Sequence, residues 1–300
     1  MRVRFWGVRG SYAAPGPQTT RYGGNTSCVE IQPREGPPFI LDAGTGLRRL
    51  GKIIAHAHPT GGARGHLLIT HTHWDHIQGL PFFAPLYTPG NRFHIYGLRR
   101  DDRLRSILAR QTAAPYFPVP LEALKADMSF RELDERAEFE VGGVRVTCAP
   151  LNHPYAAIAY RVEADGASVA YVTDTAPFGD ILLDREFIAT PPALGKPSPE
   201  HAERLAALRR GVVDLCRGAD LVVFDTMFTR DEYRARPHWG HSAPEDGLAI
   251  VEEAGAKTLC LFHHAPDRLD EQQDAILEAC RRQARHAKVI AAAEGLEIEF

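Results

Sequence analysis

Residues 67–76 read Leu-Leu-Ile-Thr-His-Thr-His-Trp-Asp-His, and this stretch decides how the chain is interpreted. Leu67 to Thr70 form an apolar run too short for a helix, the pattern of a buried strand. The run passes directly into polar residues, which places His71, His73, Asp75 and His76 on the loop at the strand's end. Imidazole nitrogens and carboxylate oxygens at alternating positions on such a loop can converge on one point, as first-row divalent cations require. A cluster of exposed or core-bound histidines is the plainer alternative, and it leaves the position straight after a strand unexplained.

Working outward, Val3 to Trp6, Ser27 to Ile31 and Pro38 to Leu41 are strand-like runs bounded by glycines, prolines and Asn25. Between Asp101 and Asp127 the spacing of Leu104, Ile107, Leu108, Leu121 and Leu124 lengthens toward helix, interrupted by Pro115, Pro118 and Pro120. The arginines there (99, 100, 103, 105 and 110) read as a solvated face. Strands resume at Val144 to Cys148, Ile158 to Val162 and Ser168 to Val172. An insertion with proline and glycine, Pro177 to Pro199, has the composition of a lid or a dimer arm and leads into a helix over Glu200 to Cys216. Further strands are expected at Leu221 to Phe224, Thr258 to Phe262 and Val289 to Ala291. Ser242-Ala243-Pro244-Glu245 has the form of a capping box opening a helix with Leu248 and Val251, and Leu269, Ile276, Leu277 and Cys280 mark a last amphipathic helix. Strands then helices in each half predict an α+β protein: an αββα sandwich of two mainly antiparallel sheets with helices on the outer faces. The expected organisation is one domain over residues 1–300 with an insertion at about 177–216.

A 300-residue chain that is 44% hydrophobic and 24% charged is neither disordered, collagen-like nor membrane-embedded. The balance of 35 basic and 38 acidic residues leaves a net charge of −3, so no global field draws it to nucleic acid or anionic lipid. Five cysteines without a C-x-x-C pair suit a reducing cytoplasm. Arg2, Arg4 and Arg9 interrupt the opening apolar residues as no secretory signal allows, and no apolar run has the length of a membrane span. The expectation is a cytoplasmic protein with no membrane partner.

The H-T-H-W-D-H motif resembles the signature of the metallo-β-lactamase superfamily of binuclear metallohydrolases. The likeness extends to Asp42-Ala43-Gly44-Thr45-Gly46, which resembles the superfamily's acidic turn, to His153 as the next ligand, and to Asp174 as the bridging aspartate. His263 and His264 are adjacent candidates for the final ligand, and neighbours on a strand face opposite ways. His241-Ser242 lies 22 positions before His263, similar to the ribonuclease Z and cyclic-phosphodiesterase branch, and favours His263. By this resemblance His71, His73 and His153 hold one ion, Asp75, His76 and His263 hold the other, and Asp174 bridges. The implied cofactors are two divalent metal ions, zinc by default with manganese or iron as alternatives. A metal-bound water, its pKa lowered toward about 7, would then supply hydroxide at neutral pH. The implied catalytic residues are Asp75, His241 as the group that protonates the leaving alkoxide, and Asp225 as the acidic partner of His241. Arg9, Asn25 and His238 are candidate substrate contacts, although glycine-rich turns are ordinarily hairpins and His238, like His264, reads first as a surface or supporting histidine.

Transfer-RNA-processing members of the branch carry a long arm between the ligand histidine and the bridging aspartate, and His153 and Asp174 are only 21 positions apart. That spacing and the net charge favour a small cyclic phosphodiester, a cyclic nucleotide or cyclic sugar phosphate, over RNA. The alternatives are a tRNA 3′-processing endonuclease, a hydrolase of carboxyl esters, thioesters or lactones on the same metals, and a non-catalytic metal-binding protein. His241-Ser242 and Asp225 disfavour the ester hydrolase; the usual mark of the non-catalytic protein, a lost ligand, is not found. A homodimer is expected by resemblance alone.

Overall fold

Short β-branched and aromatic runs, punctuated by glycine and proline, form strands throughout the computed structural model, which describes residues 1–183 and 195–300. The chain divides into two compact units, Met1–Asp134 with Ala293–Phe300, and Glu135–Ala292. The first contains β1 (Arg2–Gly7), β2 (Cys28–Gln32), β3 (Phe39–Leu41), α1 (Leu47–Ala57), β4 (Arg64–Leu68), α2 (Trp74–Ile77), β5 (Arg92–Leu98), α3 (Leu104–Gln111) and β6 (Asp127–Leu133). The second contains β7 (Glu138–Val141), β8 (Val144–Pro150), β9 (Ile158–Ala164), β10 (Ala167–Val172), α4 (Pro199–Cys216), β11 (Leu221–Asp225), α5 (Arg230–Ala235), α6 (Pro244–Ala254), β12 (Thr258–Phe262), α7 (Asp270–Gln283) and β13 (Lys288–Ala291). A last strand, β14 (Glu297–Glu299), pairs with β1 in the first unit.

The first sheet runs β14-β1-β2-β3-β4-β5-β6, antiparallel as far as β3 and parallel from there on. The second runs β13-β12-β11-β10-β9-β8-β7, parallel from β13 to β10 and antiparallel beyond. Both sheets are therefore mixed, which corrects the expectation of mainly antiparallel ones. The reason is connection length: short links such as that between β9 and β10 make hairpins, whereas α1, α4 and α7 are crossover helices that return the chain in the same direction. Strands β10 and β11 are buried along their whole length, as parallel strands apolar on both faces should be.

In the first unit Leu47 and Leu50 of α1 and Leu104 and Leu108 of α3 join Ile40, Leu67, Phe93 and Ile95 in one core cluster. In the second, Asn152 holds the segment after β10, donating through Nδ2 to the carbonyls of Pro177 and Ile181 and accepting from Leu183 N. The expected lid or arm lies partly outside the described residues, at 184–194. The helix after it starts at Pro199, capped by Ser198. The cap of α6 stands one residue later than the sequence suggests and is only half a capping box: Asp246 accepts from Ala243 N, while Ser242 Oγ donates to the Thr175 carbonyl. Among the described residues no helix is long and apolar enough to cross a membrane, and none of the five buried cysteines is in a disulfide.

Backbone bonds lace the turn after β3 to the histidine loop, with Ala43 N donating to His76 O at 2.7 Å and Gly79 N to Ala43 O at 2.8 Å. A Cβ on Gly79 would lie 1.9 Å from the Gly44 carbonyl oxygen, which has no room to retreat. Gly79→Ala should cost about 1–3 kcal/mol, read as a lowered urea midpoint at unchanged slope. His66 stacks on Phe39 at 4.6 Å and meets the Tyr96 hydroxyl at 3.2 Å; burial, then the charge of His94, hold its pKa down at about 4. The folded state thus keeps His66 neutral where the unfolded chain protonates it. Its contribution is full above about pH 6.5 and is lost as pH falls toward 4. His66→Phe should flatten the decline of Tm between those pH values.

Candidate functional site

In the first unit the loop after β4 gathers His71, His73, Asp75 and His76, and all but half-exposed His73 are buried. Asp42, just past the end of β3, organises them. Its carboxylate accepts from Thr70 N at 2.8 Å, from the Thr70 hydroxyl at 3.0 Å and from His76 Nδ1 at 2.7 Å. Since that hydroxyl donates to Asp42, its oxygen accepts from His71 Nδ1 at 3.1 Å. His71 and His76 therefore both carry their proton on Nδ1 and leave Nε2 with a lone pair. His71 Nε2 stands 3.0 Å from His73 Nδ1, and His76 Nε2 3.3 Å from Asp75 Oδ2. Ser11 N donates to the same Asp75 oxygen at 2.7 Å.

In the second unit the ends of β10, β11 and β12 present Asp174, Asp225 and His263, and His153 follows β8. His263 Nε2 lies 3.1 Å from Asp174 Oδ1, and His153 Nε2 lies 3.7 Å from Asp174 Oδ2. His153 Nδ1 donates to the Gly240 carbonyl at 2.9 Å, which puts the ring proton on Nδ1 and leaves Nε2 unprotonated. His241 Nδ1 donates to Asp225 Oδ2 at 2.9 Å, and Asp225 also accepts from Thr175 N and Met227 N, both at 3.1 Å. The imidazole of His241 stacks on that of His263 with centroids 5.0 Å apart. One ligand atom from each of Asp174, Asp225, His241 and His263 falls within 4.8 Å of all the others.

Asp42, Asp174 and His263 share a backbone φ of 58–60°, a left-handed conformation that residues with a side chain rarely adopt. Each such residue costs on the order of 1–3 kcal/mol and persists where the surroundings hold it. All three stand where a buried strand must turn while still aiming a polar side chain from its end.

These donors fit divalent metal. A tetrahedral ion with bonds of about 2.0–2.1 Å sets its ligand atoms roughly 3.3 Å apart, and the pairs within each unit lie at 3.0, 3.3, 3.1 and 3.7 Å. Nitrogen and oxygen donors without thiolate suit zinc, manganese or iron.

Other sequence-based candidates are placed differently. Arg9 is fully buried, and its Nε donates to the Gly23 carbonyl within the N-terminal turns at 2.7 Å. Asn25 is engaged by Glu294, through its backbone N at 2.6 Å and its side-chain amide at 3.0 Å. His238 is half-buried beside Trp239. His264 Nε2 donates to the Ala292 carbonyl at 2.8 Å. Neither Thr70 nor Gly240 is legible in the sequence as an orienting group, and Asp42 reads there only as part of an acidic turn. Thr70 is a strand residue by pattern, and Gly240 acts through its backbone, so neither carries a side-chain signal.

A β-lactamase superfamily domain model matches residues 39–187. Ribonuclease Z of Haloarcula marismortui is 24% identical, the alignment covering 100% of this chain and 97% of that one. Among solved structures, the metallo-β-lactamase fold protein YhfI of Bacillus subtilis has a TM-score of 0.67 at 17% identity, covering 100% of this chain and 98% of its own. The short form of human tRNase Z has a TM-score of 0.63 at 20% identity, covering 100% and 99%. Residues 39–187 thus match the β-lactamase superfamily domain, the chain has the metallo-β-lactamase α+β fold, and ribonuclease Z is among the proteins it is similar to.

A Cβ on Gly240 would stand 2.3 Å from His153 Nδ1, and the residue's φ of +85° already excludes an easy substitution. Gly240→Ala should therefore turn His153 and lower bound metal about 10- to 100-fold in affinity, measured by chelator competition. Asp42→Asn, which weakens the support of His76, should act in the same direction.

Proposed function

We propose that the two histidine clusters together hold two divalent ions and that the protein opens small cyclic phosphodiesters. His71, His73 and His153 would hold one ion, Asp75, His76 and His263 the other, with Asp174 shared between them. Zinc is the default on donor chemistry, with manganese or iron as alternatives. When bound, such a pair supplies Lewis acidity and a nucleophile at neutral pH, and neutralises the phosphate oxygens.

The observation that carries the reading is the Asp225–His241 pair at 2.9 Å. Asp225 fixes the tautomer and orientation of His241, and its remaining capacity is taken by two backbone N–H groups. His241 Nε2 is thereby kept for proton transfer to the alkoxide that leaves phosphorus. A phosphodiester calls for such a group, since an alkoxide is a poor leaving group and departs more readily as it takes up a proton. Asp75 and Asp174 act as ligands, while Asp42 and Thr70 keep His76 and His71 aimed.

Small size is supported by the segment between His153 and Asp174. Strands β9 and β10 are joined by the two-residue turn Asp165-Gly166, both residues at positive φ, which forms a tight hairpin with no protruding arm. The ribonuclease Z relative, aligned over the whole chain, favours a second reading, tRNA 3′ processing. A screen of the metal-loaded protein with 2′,3′-cyclic nucleotides, a cyclic dinucleotide, ribose cyclic phosphate and a tRNA precursor separates the two. Cleavage of the precursor alone would overturn the first reading.

His241→Ala should lower kcat on the preferred diester about 10²- to 10⁴-fold with metal content unchanged by elemental analysis. Asp225→Asn should lower it less and shift the pH-rate profile. A His241→Ala protein with wild-type turnover would remove the assigned proton donor.

A further inference from the structure

Trp74 interrupts the histidine motif, and the metal chemistry does not use it. Its neighbours in α2, Asp75, His76 and Ile77, are buried, yet its own side chain is 65% exposed. Its indole N–H makes no hydrogen bond among the described residues. It lines a cleft of about 230 Å³ within the first unit, together with Thr72, Ile107, Arg110 and Tyr116. Tyr116 is 81% exposed, and Asp102 holds the Arg110 guanidinium by a hydrogen bond at 2.7 Å. Ligand pockets that enclose whole drug-sized molecules run to about 300–1,000 Å³, so this one suits a single planar heterocycle.

We infer that this cleft is a base-binding subsite, and that the substrate of the adjoining centre is a cyclic mononucleotide rather than a base-less cyclic sugar phosphate. The inference rests on the phosphodiesterase reading above and narrows its substrate class. Two exposed aromatic rings and a tethered guanidinium offer π faces and a planar cation. Nucleobases stack on such groups, and ribose and phosphate have no face to present. Thr72 and Trp74 alternate along the chain with His71 and His73, which ties the cleft to the ligand loop through consecutive residues. A group held there is anchored to the same short segment that carries the metal donors.

The test combines binding and turnover. Calorimetric titration should show saturable binding of adenosine 5′-monophosphate at least about 10-fold tighter than of ribose 5-phosphate, and Trp74→Leu should abolish that difference. Tyr116→Leu, which lies outside the motif, should weaken it in the same direction, and Trp74→Phe should restore most of it. In turnover, Trp74→Leu should lower the ratio of kcat/KM for 2′,3′-cyclic AMP over ribose cyclic phosphate about 10- to 100-fold. Equal affinity of the two monophosphates, or an unchanged ratio in both leucine variants, overturns the base site while leaving the phosphodiesterase reading in place. If neither diester is cleaved but base-dependent binding persists, the phosphodiesterase reading fails and the base site stands. A loss confined to a tRNA precursor overturns the mononucleotide assignment.

Discussion

A buried carboxylate at the end of β3 governs the histidine motif. Asp42 has no solvent to satisfy it, so its oxygens must be met by protein donors, and they are: Thr70 through amide and hydroxyl, His76 through Nδ1. Each bond does two things. It compensates the desolvated charge, and it determines which imidazole nitrogen keeps its proton. The relay through Thr70 extends the effect to His71, so one aspartate outside the donor set leaves two Nε2 lone pairs available. Removing it would leave buried groups unpaired and the imidazoles free to turn, which is a larger effect than the loss of one hydrogen bond.

The same logic recurs in the second unit with different partners. A backbone carbonyl, Gly240, holds His153; a carboxylate that also caps two amides, Asp225, holds His241. Polar side chains emerge at the ends of β3, β4, β10, β11 and β12, all of which take part in parallel pairing. The buried, apolar strands give rigid anchors; the strained residues at their ends give direction. Asp42, Asp174 and His263 hold left-handed conformations that a loop without such anchoring would relax.

Much of this was legible in the sequence because the signals are local. Thr258 to Phe262 was read with the bounds observed for β12, and the helix over Glu200 to Cys216 begins one residue early. A short apolar run followed at once by H-x-H-x-D-H marks both a strand end and a donor cluster. Other features were not legible because they depend on tertiary partners. Helix α1 lacks side-chain caps, so nothing in its sequence marks where it starts or stops, although Leu47, Leu50 and Ile54 recur at helical spacing. The parallel halves of both sheets follow from where crossover helices deposit the chain, which no strand records in its own composition. Arg9 reads as an anion donor by residue type; its burial and its bond to the Gly23 carbonyl depend on tertiary packing that residue type does not carry. Gly240 supports His153 through a carbonyl that every residue possesses, and the steric demand for glycine there appears only once His153 is in place.

The pairing of β14 with β1 has a consequence for biosynthesis. The first sheet is assembled from residues near the start of the chain, yet its outermost strand is translated after the whole second unit. While the ribosome works through that unit, β1 presents an uncovered row of amides and carbonyls, the kind of edge that recruits foreign strands. Arg2 and Arg4, which interrupt the apolar residues of β1, put charge on that edge during the interval and later meet Glu299 and Glu297 across the completed ladder.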